Sequence, residues 1–138
     1  MTTAKRFEDL DVWQRAKELT NLIHSFSSSS MFARDFGLRD QMQRASISIM
    51  SNIAEGFESQ TQVLFVQFLG RAKGSAGEVR AQLYIALEQG YITDDEFKSA
   101  FSRAELRSKQ LASLIRYLQP QPNTHRTRED GVTYDVYH

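Results

Sequence analysis

The residues of this chain that could do chemistry are few and widely spread. Its three histidines, His24, His125 and His138, are far apart, and there is no cysteine. Helical bundles that hold metals do so through Glu-x-x-His pairs on facing helices, and no such pair occurs here. Serines are plentiful, but without a nearby histidine or thiolate a nucleophile–base pair has little support. Gly70, Gly74 and Gly77 lack the Lys-Ser/Thr ending of a phosphate-binding loop. Glu55 and Glu78 are the remaining candidates for paired carboxylates. A structural role is the stronger expectation for them, closing hydrogen bonds or an ion pair with Arg44 or Arg80 across helices. The sequence therefore predicts no enzyme, no catalytic residues, no metal, no cofactor and no small-molecule substrate.

Cationic side chains offer a second kind of chemistry. Lys98, Lys109 and Arg116 share one flank of a predicted helix, and Arg103 and Arg107 share another. Arg103, Arg107, Lys109 and Arg116 are candidate phosphate contacts for a nucleic acid. The plainer reading is a solvated surface whose cations sit near a helix C-terminus that favours them. Seventeen basic residues are balanced by seventeen acidic ones, which argues against a general polyanion binder.

These residues need a scaffold, and the sequence predicts an all-α one. The chain has 138 residues, 41% hydrophobic and 25% charged, enough for one domain with a single core. Both prolines, Pro120 and Pro122, lie near the C-terminus, so nothing upstream breaks a helix. Val12, Ala16, Leu19, Ile23 and Phe26 form a helical stripe, and the first helix is expected from about Asp9 to the serine run at Ser27. A second should begin near Asp35 or Gly37, carry Leu38, Met42, Ala45, Ile49 and Ile53, and stop at Gly56 or Phe57. Ser59 with Gln62 is a candidate capping box for the third, Thr61 being the alternative cap. That helix bears Phe65, Phe68, Leu69, Ala72, Val79, Leu83, Ala86 and Leu87 and closes at Gly90. Thr93 with Glu96 opens the fourth, which carries Phe97, Phe101, Ala104, Leu111, Ile115 and Leu118. Short connections make this an antiparallel up-and-down four-helix bundle over residues 1–118, with residues 119–138 as an extended tail.

Two features exceed what a closed bundle needs. Gly70, Gly74, Gly77 and Ala81 share one helix face, although each interior glycine costs roughly 1 kcal/mol against alanine. Close packing inside the bundle is the first expectation, and a subunit interface or a kink the second. Leu106, Gln110, Ser113 and Tyr117 form an apolar-edged stripe off the core face of the fourth helix, a pattern that suggests oligomerisation. No segment has the length of a signal peptide's apolar run or of a membrane span, so a cytoplasmic protein away from any membrane is the default.

Several segments resemble the four-helix-bundle family encoded in 23S rRNA intervening sequences. They are Phe7 to Gln14, then Gly37-Leu38, Gln41, Arg44-Ala45 and Ser48-Ile49, and above all Ser51-Asn52-Ile53-Ala54-Glu55-Gly56-Phe57. Phe65, Phe68, Leu69, Ala72, Gly74-Ser75, Glu78 and Leu83 continue the match, which covers roughly residues 7 to 118. Met50 departs from the pattern, which usually has proline there. The resemblance implies a bundle that assembles into a ring-shaped homo-oligomer, commonly a pentamer. The family is similar to the accessory variability protein of diversity-generating retroelements, a basic pentamer that binds nucleic acid. It implies self-association, with RNA or a nucleic-acid-processing protein as a further partner. The alternative is a purely structural or protein-binding module with no nucleic-acid role. Arg44, Asn52, Glu55, Gly56 and Glu78 match the family motif and are taken as structural residues. Leu106, Tyr117, Gly70, Gly74 and Gly77 are the candidate interface.

Overall fold

A computed structural model describes residues 4–119. Residues 1–3 and 120–138, which hold His125, His138 and most of the expected tail, lie outside the described residues. Among the described residues there are four α-helices and no strand: α1 (Asp11–Ser27), α2 (Phe36–Glu58), α3 (Gln62–Glu88) and α4 (Asp94–Leu118).

Contacts across the seams fix the directions. Thr20 Oγ1 donates to the Ser46 carbonyl at 3.0 Å and Gln43 Nε2 to Ser27 Oγ at 2.8 Å, so α1 and α2 run oppositely. Ser75 Oγ donates to Ser48 Oγ at 2.9 Å between α2 and α3. Tyr84 meets Phe97 and Phe101 between α3 and α4, and Gln110 Nε2 donates to Asp11 Oδ2 at 2.9 Å between α4 and α1. Each helix thus packs antiparallel on its two neighbours around one core. Val12, Ala16, Leu19 and Ile23 of α1 are buried, with Met42, Ala45, Ile49 and Ile53 of α2. From α3 come Leu69, Ala72, Ala76, Val79, Leu83 and Ala86, and from α4 Ala100, Ala104 and Leu111. Burying each large aliphatic side chain contributes about 1.5–3 kcal/mol relative to exposure, which is why these stripes set the fold.

The ends differ from the sequence expectations in instructive ways. α1 begins at Asp11 rather than Asp9, because the Asp9 carboxylate accepts from the Lys5 and Arg6 amides and holds Phe7–Asp9 in a tighter turn. Thr61, not Ser59, caps α3 by accepting from the Leu64 amide at 3.1 Å; the Ser59 hydroxyl is spent on the Gly56 carbonyl. α2 runs unbroken through Met50 and past Gly56 to Glu58. Gly56 is no stop. A Cβ there would lie 2.8 Å from Phe65 Cδ1 and 2.9 Å from Phe68 Cβ, so this glycine lets α3 come in against α2.

The expected Thr93–Glu96 capping box is present in full. Gly90 has φ +77°, and the Gly90 and Tyr91 amides donate back to the Leu87 and Ala86 carbonyls, a Schellman ending. Leu10, Phe32 and Ile92 are core residues that lie in connections and escaped the periodicity; Phe32, 1% exposed, lies in a short turn before α2 and stacks on Tyr91.

Candidate functional site

Polar residues of α2 recur at Gln41, Arg44, Ser48, Asn52 and Glu55, spacings of three and four that place them on one face. That face meets Ser75, Glu78 and Gln82 of α3. Gln41, Arg44, Ala45, Ser48 and Glu78 line a shallow cleft of about 240 Å³. At its base Asn52 Nδ2 donates to the Ser48 carbonyl at 2.8 Å and to Ser48 Oγ at 2.9 Å, so Asn52 is tied to its own helix. The Ser48–Ser75 hydrogen bond carries this chain of contacts across to α3. Gln82 Nε2 approaches Gln41 Oε1 at 3.5 Å, while Gln82 Oε1 is buried without a donor among the described residues.

The expected ion pairs of Glu55 and Glu78 with Arg44 or Arg80 are absent among the described residues, whose four ion pairs lie elsewhere. Arg44 and Glu78 line the same cleft, both exposed, and remain apart because water solvates each of them. The two glutamates are not brought together either. Glu78 lies one turn beyond Ser75 and Glu55 two turns beyond Ser48 in the opposite direction, roughly 15 Å apart along the axes. The serines bond to one another rather than to a base, and His24 Nδ1 pairs with the Thr20 carbonyl on α1. This arrangement can hold two helices in register. It has no nucleophile–base geometry.

The glycines of α3 are where the structure departs most from expectation. Gly70 and Gly74 are exposed, and a Cβ on either would meet nothing within 4 Å. A Cβ on Gly77 would make only an ordinary contact, with Arg80 Nη2 at 3.6 Å. Packing inside the bundle does not explain them. They line the outer face of α3 with exposed Ala81, and Val63, Tyr84 and Ile85 extend that face at 68%, 49% and 46% exposure.

α4 divides differently from its predicted flanks. Arg103, Lys109 and Arg116 are exposed, as is Lys98, but Glu105 lies among them and weakens the local potential. Arg107 is turned inward and only 8% exposed. Its position, one helical step round from Arg103, falls over the α1 seam. Its Nε donates to Gln110 Oε1 at 2.7 Å, Gln110 donates to Asp11, and Asp11 and Glu18 both hold Arg15. Among the described residues no carboxylate lies within ion-pair distance of Arg107. Burial therefore lowers its pKa, opposed by the charges of Asp11 and Glu18 and reinforced by Arg15 and Arg103. Leu106 and Tyr117, on a neighbouring flank of α4, are 50% and 56% exposed.

The cleft residues other than Gln82 were legible as family-type positions, although nothing in the sequence singled out a cleft. The inward turn of Arg107 was signalled only by its 180° offset from Lys98 and Arg116 around α4. No described helix is long and apolar enough to cross a membrane, and no cluster of metal-ligating side chains occurs among the described residues.

The model of the family described as 23S rRNA-intervening sequence protein matches residues 8–113. A crystal structure from Bacteroides thetaiotaomicron, of a protein with unknown function from the S23 ribosomal protein family, is similar at 25% identity. It superposes with a TM-score of 0.70, covering 75% of this chain and 97% of its own. No curated protein matches.

Proposed function

This chain belongs to the 23S rRNA-intervening sequence protein family, and from that premise we propose that it is a non-enzymatic helical scaffold that assembles with copies of itself into a ring. The observation that carries this reading is the outer face of α3. Three glycines and an alanine leave room for another backbone, no described residue uses that room, and exposed Val63, Tyr84 and Ile85 offer apolar contacts along the same helix. A close helix crossing offsets the helix-propensity cost that the glycines impose. If the partner surface is not α3 itself, the contact is head-to-tail, and such contacts close into a ring when the rotation between copies closes. Five copies is the number implied by the resemblance. Size-exclusion chromatography with light scattering tests the assembly, and a 15.8 kDa monomer at micromolar concentration would defeat it.

RNA, or a protein that processes it, is the partner we propose for the assembled ring. Exposed Lys98, Arg103, Lys109 and Arg116 support this reading, because a ring repeats a modest patch. Binding should weaken steeply with salt and fall when Arg103 and Lys109 are replaced by alanine. Absence of binding at low salt removes the RNA role and leaves a protein-binding scaffold.

A further inference from the structure

The α2–α3 cleft carries hydrogen-bonding groups that the bundle does not use. Arg44 lines it from α2 and Glu78 from α3, and neither has a hydrogen bond or ion pair to another described residue. Gln82 stands one turn beyond Glu78, and its Oε1 is buried without a donor among the described residues. One wall therefore offers the planar fork of a guanidinium, and the other offers carboxylate and amide oxygens as acceptors. The cleft volume of about 240 Å³ falls below the roughly 300–1,000 Å³ that takes a drug-sized molecule. It suits a single planar ring system.

Such walls select a ligand by the order of its polar atoms. Guanine has two adjacent acceptors, N7 and O6, followed round the ring by two adjacent donors, N1–H and N2–H. A guanidinium matches the first pair and a carboxylate the second. No other common base has that order. Adenine has its N6 donor where guanine has O6, and each pyrimidine has only one donor nitrogen on that edge.

We propose that the α2–α3 cleft binds a guanine base, with Arg44 donating to O6 and N7 and Glu78 accepting from N1 and N2. The base replaces the water that otherwise solvates both side chains. The site uses none of the α4 cations and none of the α3 glycines, so it stands or falls apart from the RNA reading and from the ring. A free nucleotide and an unpaired guanine in RNA present the same edge.

Guanosine monophosphate, titrated into the full chain to millimolar concentration, should shift the amides of Gln41–Ser48 and Ser75–Gln82. Adenosine monophosphate should bind at least tenfold more weakly. Inosine monophosphate, which lacks only the N2 amine, should bind about fivefold more weakly than guanosine monophosphate. Glu78→Gln and Arg44→Lys should each weaken guanosine monophosphate about tenfold. Both positions are exposed, so the variants keep the fold. Glu88→Gln, an exposed site on α3 outside the cleft, should leave binding unchanged. Binding without base preference, or binding indifferent to Glu78→Gln and Arg44→Lys, would overturn the proposal. So would the absence of any shift, which leaves water as the occupant. A short unstructured RNA with one guanine separates the two sources: tighter binding than the mononucleotide assigns the base to RNA, and equal binding assigns it to a free nucleotide.

Discussion

Two groups of glycines in neighbouring helices look alike in the sequence and do opposite things in the structure. Gly56, near the end of α2, is buried, and any Cβ there would press into Phe65 and Phe68. Gly70 and Gly74, on the outside of α3, have open space where a Cβ would go. Both cost helix propensity, but among the described residues only Gly56 recovers it, by letting α2 and α3 close on each other. What the difference teaches is that a glycine's purpose is set by what faces it, and the α3 glycines face outward.

Gly56→Ala gives the largest expected effect. The intruding methyl meets Phe68 Cβ at 2.9 Å and the Phe65 carbonyl oxygen at 3.3 Å as well as the Phe65 ring edge. Overpacking of this kind costs about 1–3 kcal/mol, only partly offset by alanine's better propensity. Urea unfolding should show the loss, and an unchanged midpoint would mean that the two helices can separate freely. Ser75→Ala, on the inner side of α3, should cost about 1 kcal/mol by removing the hydrogen bond to Ser48.

On the outer side the sign reverses. Gly70→Ala and Gly74→Ala should each raise the stability of the isolated chain by about 0.5–1 kcal/mol, read from unfolding at concentrations where it is monomeric. A loss there would show that these glycines serve the bundle after all.

The smallest effect concerns pH on the packed side. Tyr91 donates to Asp35 Oδ2 at 2.9 Å, and that hydrogen bond, with burial and the charge of Asp35, raises its pKa. A pKa raised by folding means stability that is whole below pH 10, the unfolded value, and is lost as pH climbs through the folded value. Alkaline titration of unfolding should show this limb in the native chain and not in Tyr91→Phe.

The core and the caps were legible because burial and capping leave periodic, local signatures. Val12 to Ile23, Met42 to Ile53 and Thr93–Glu96 needed only spacing to be read. Phe32 was not legible, since a lone aromatic in a connection has no period and its burial depends on Tyr91 arriving from another segment. The surface was read less well for the same reason. Spacing placed Arg103 and Arg107 together, but which of them turns inward depends on where α1 lies. The ion pairs expected of Glu55 and Glu78 failed because shared motif membership does not bring two side chains within reach. The glycine stripe was seen, and its direction was not: spacing gives a face, and only the neighbouring helices say whether it looks in or out.

Gly74→Leu tests the central claim most directly. The leucine enters open space in the single chain, so the bundle should remain folded and at least as resistant to unfolding. Light scattering should give a multiple of 15.8 kDa for the native chain and a monomer for the variant. The same mass for both chains would contradict the account, because the outer face of α3 would then carry no contact between copies.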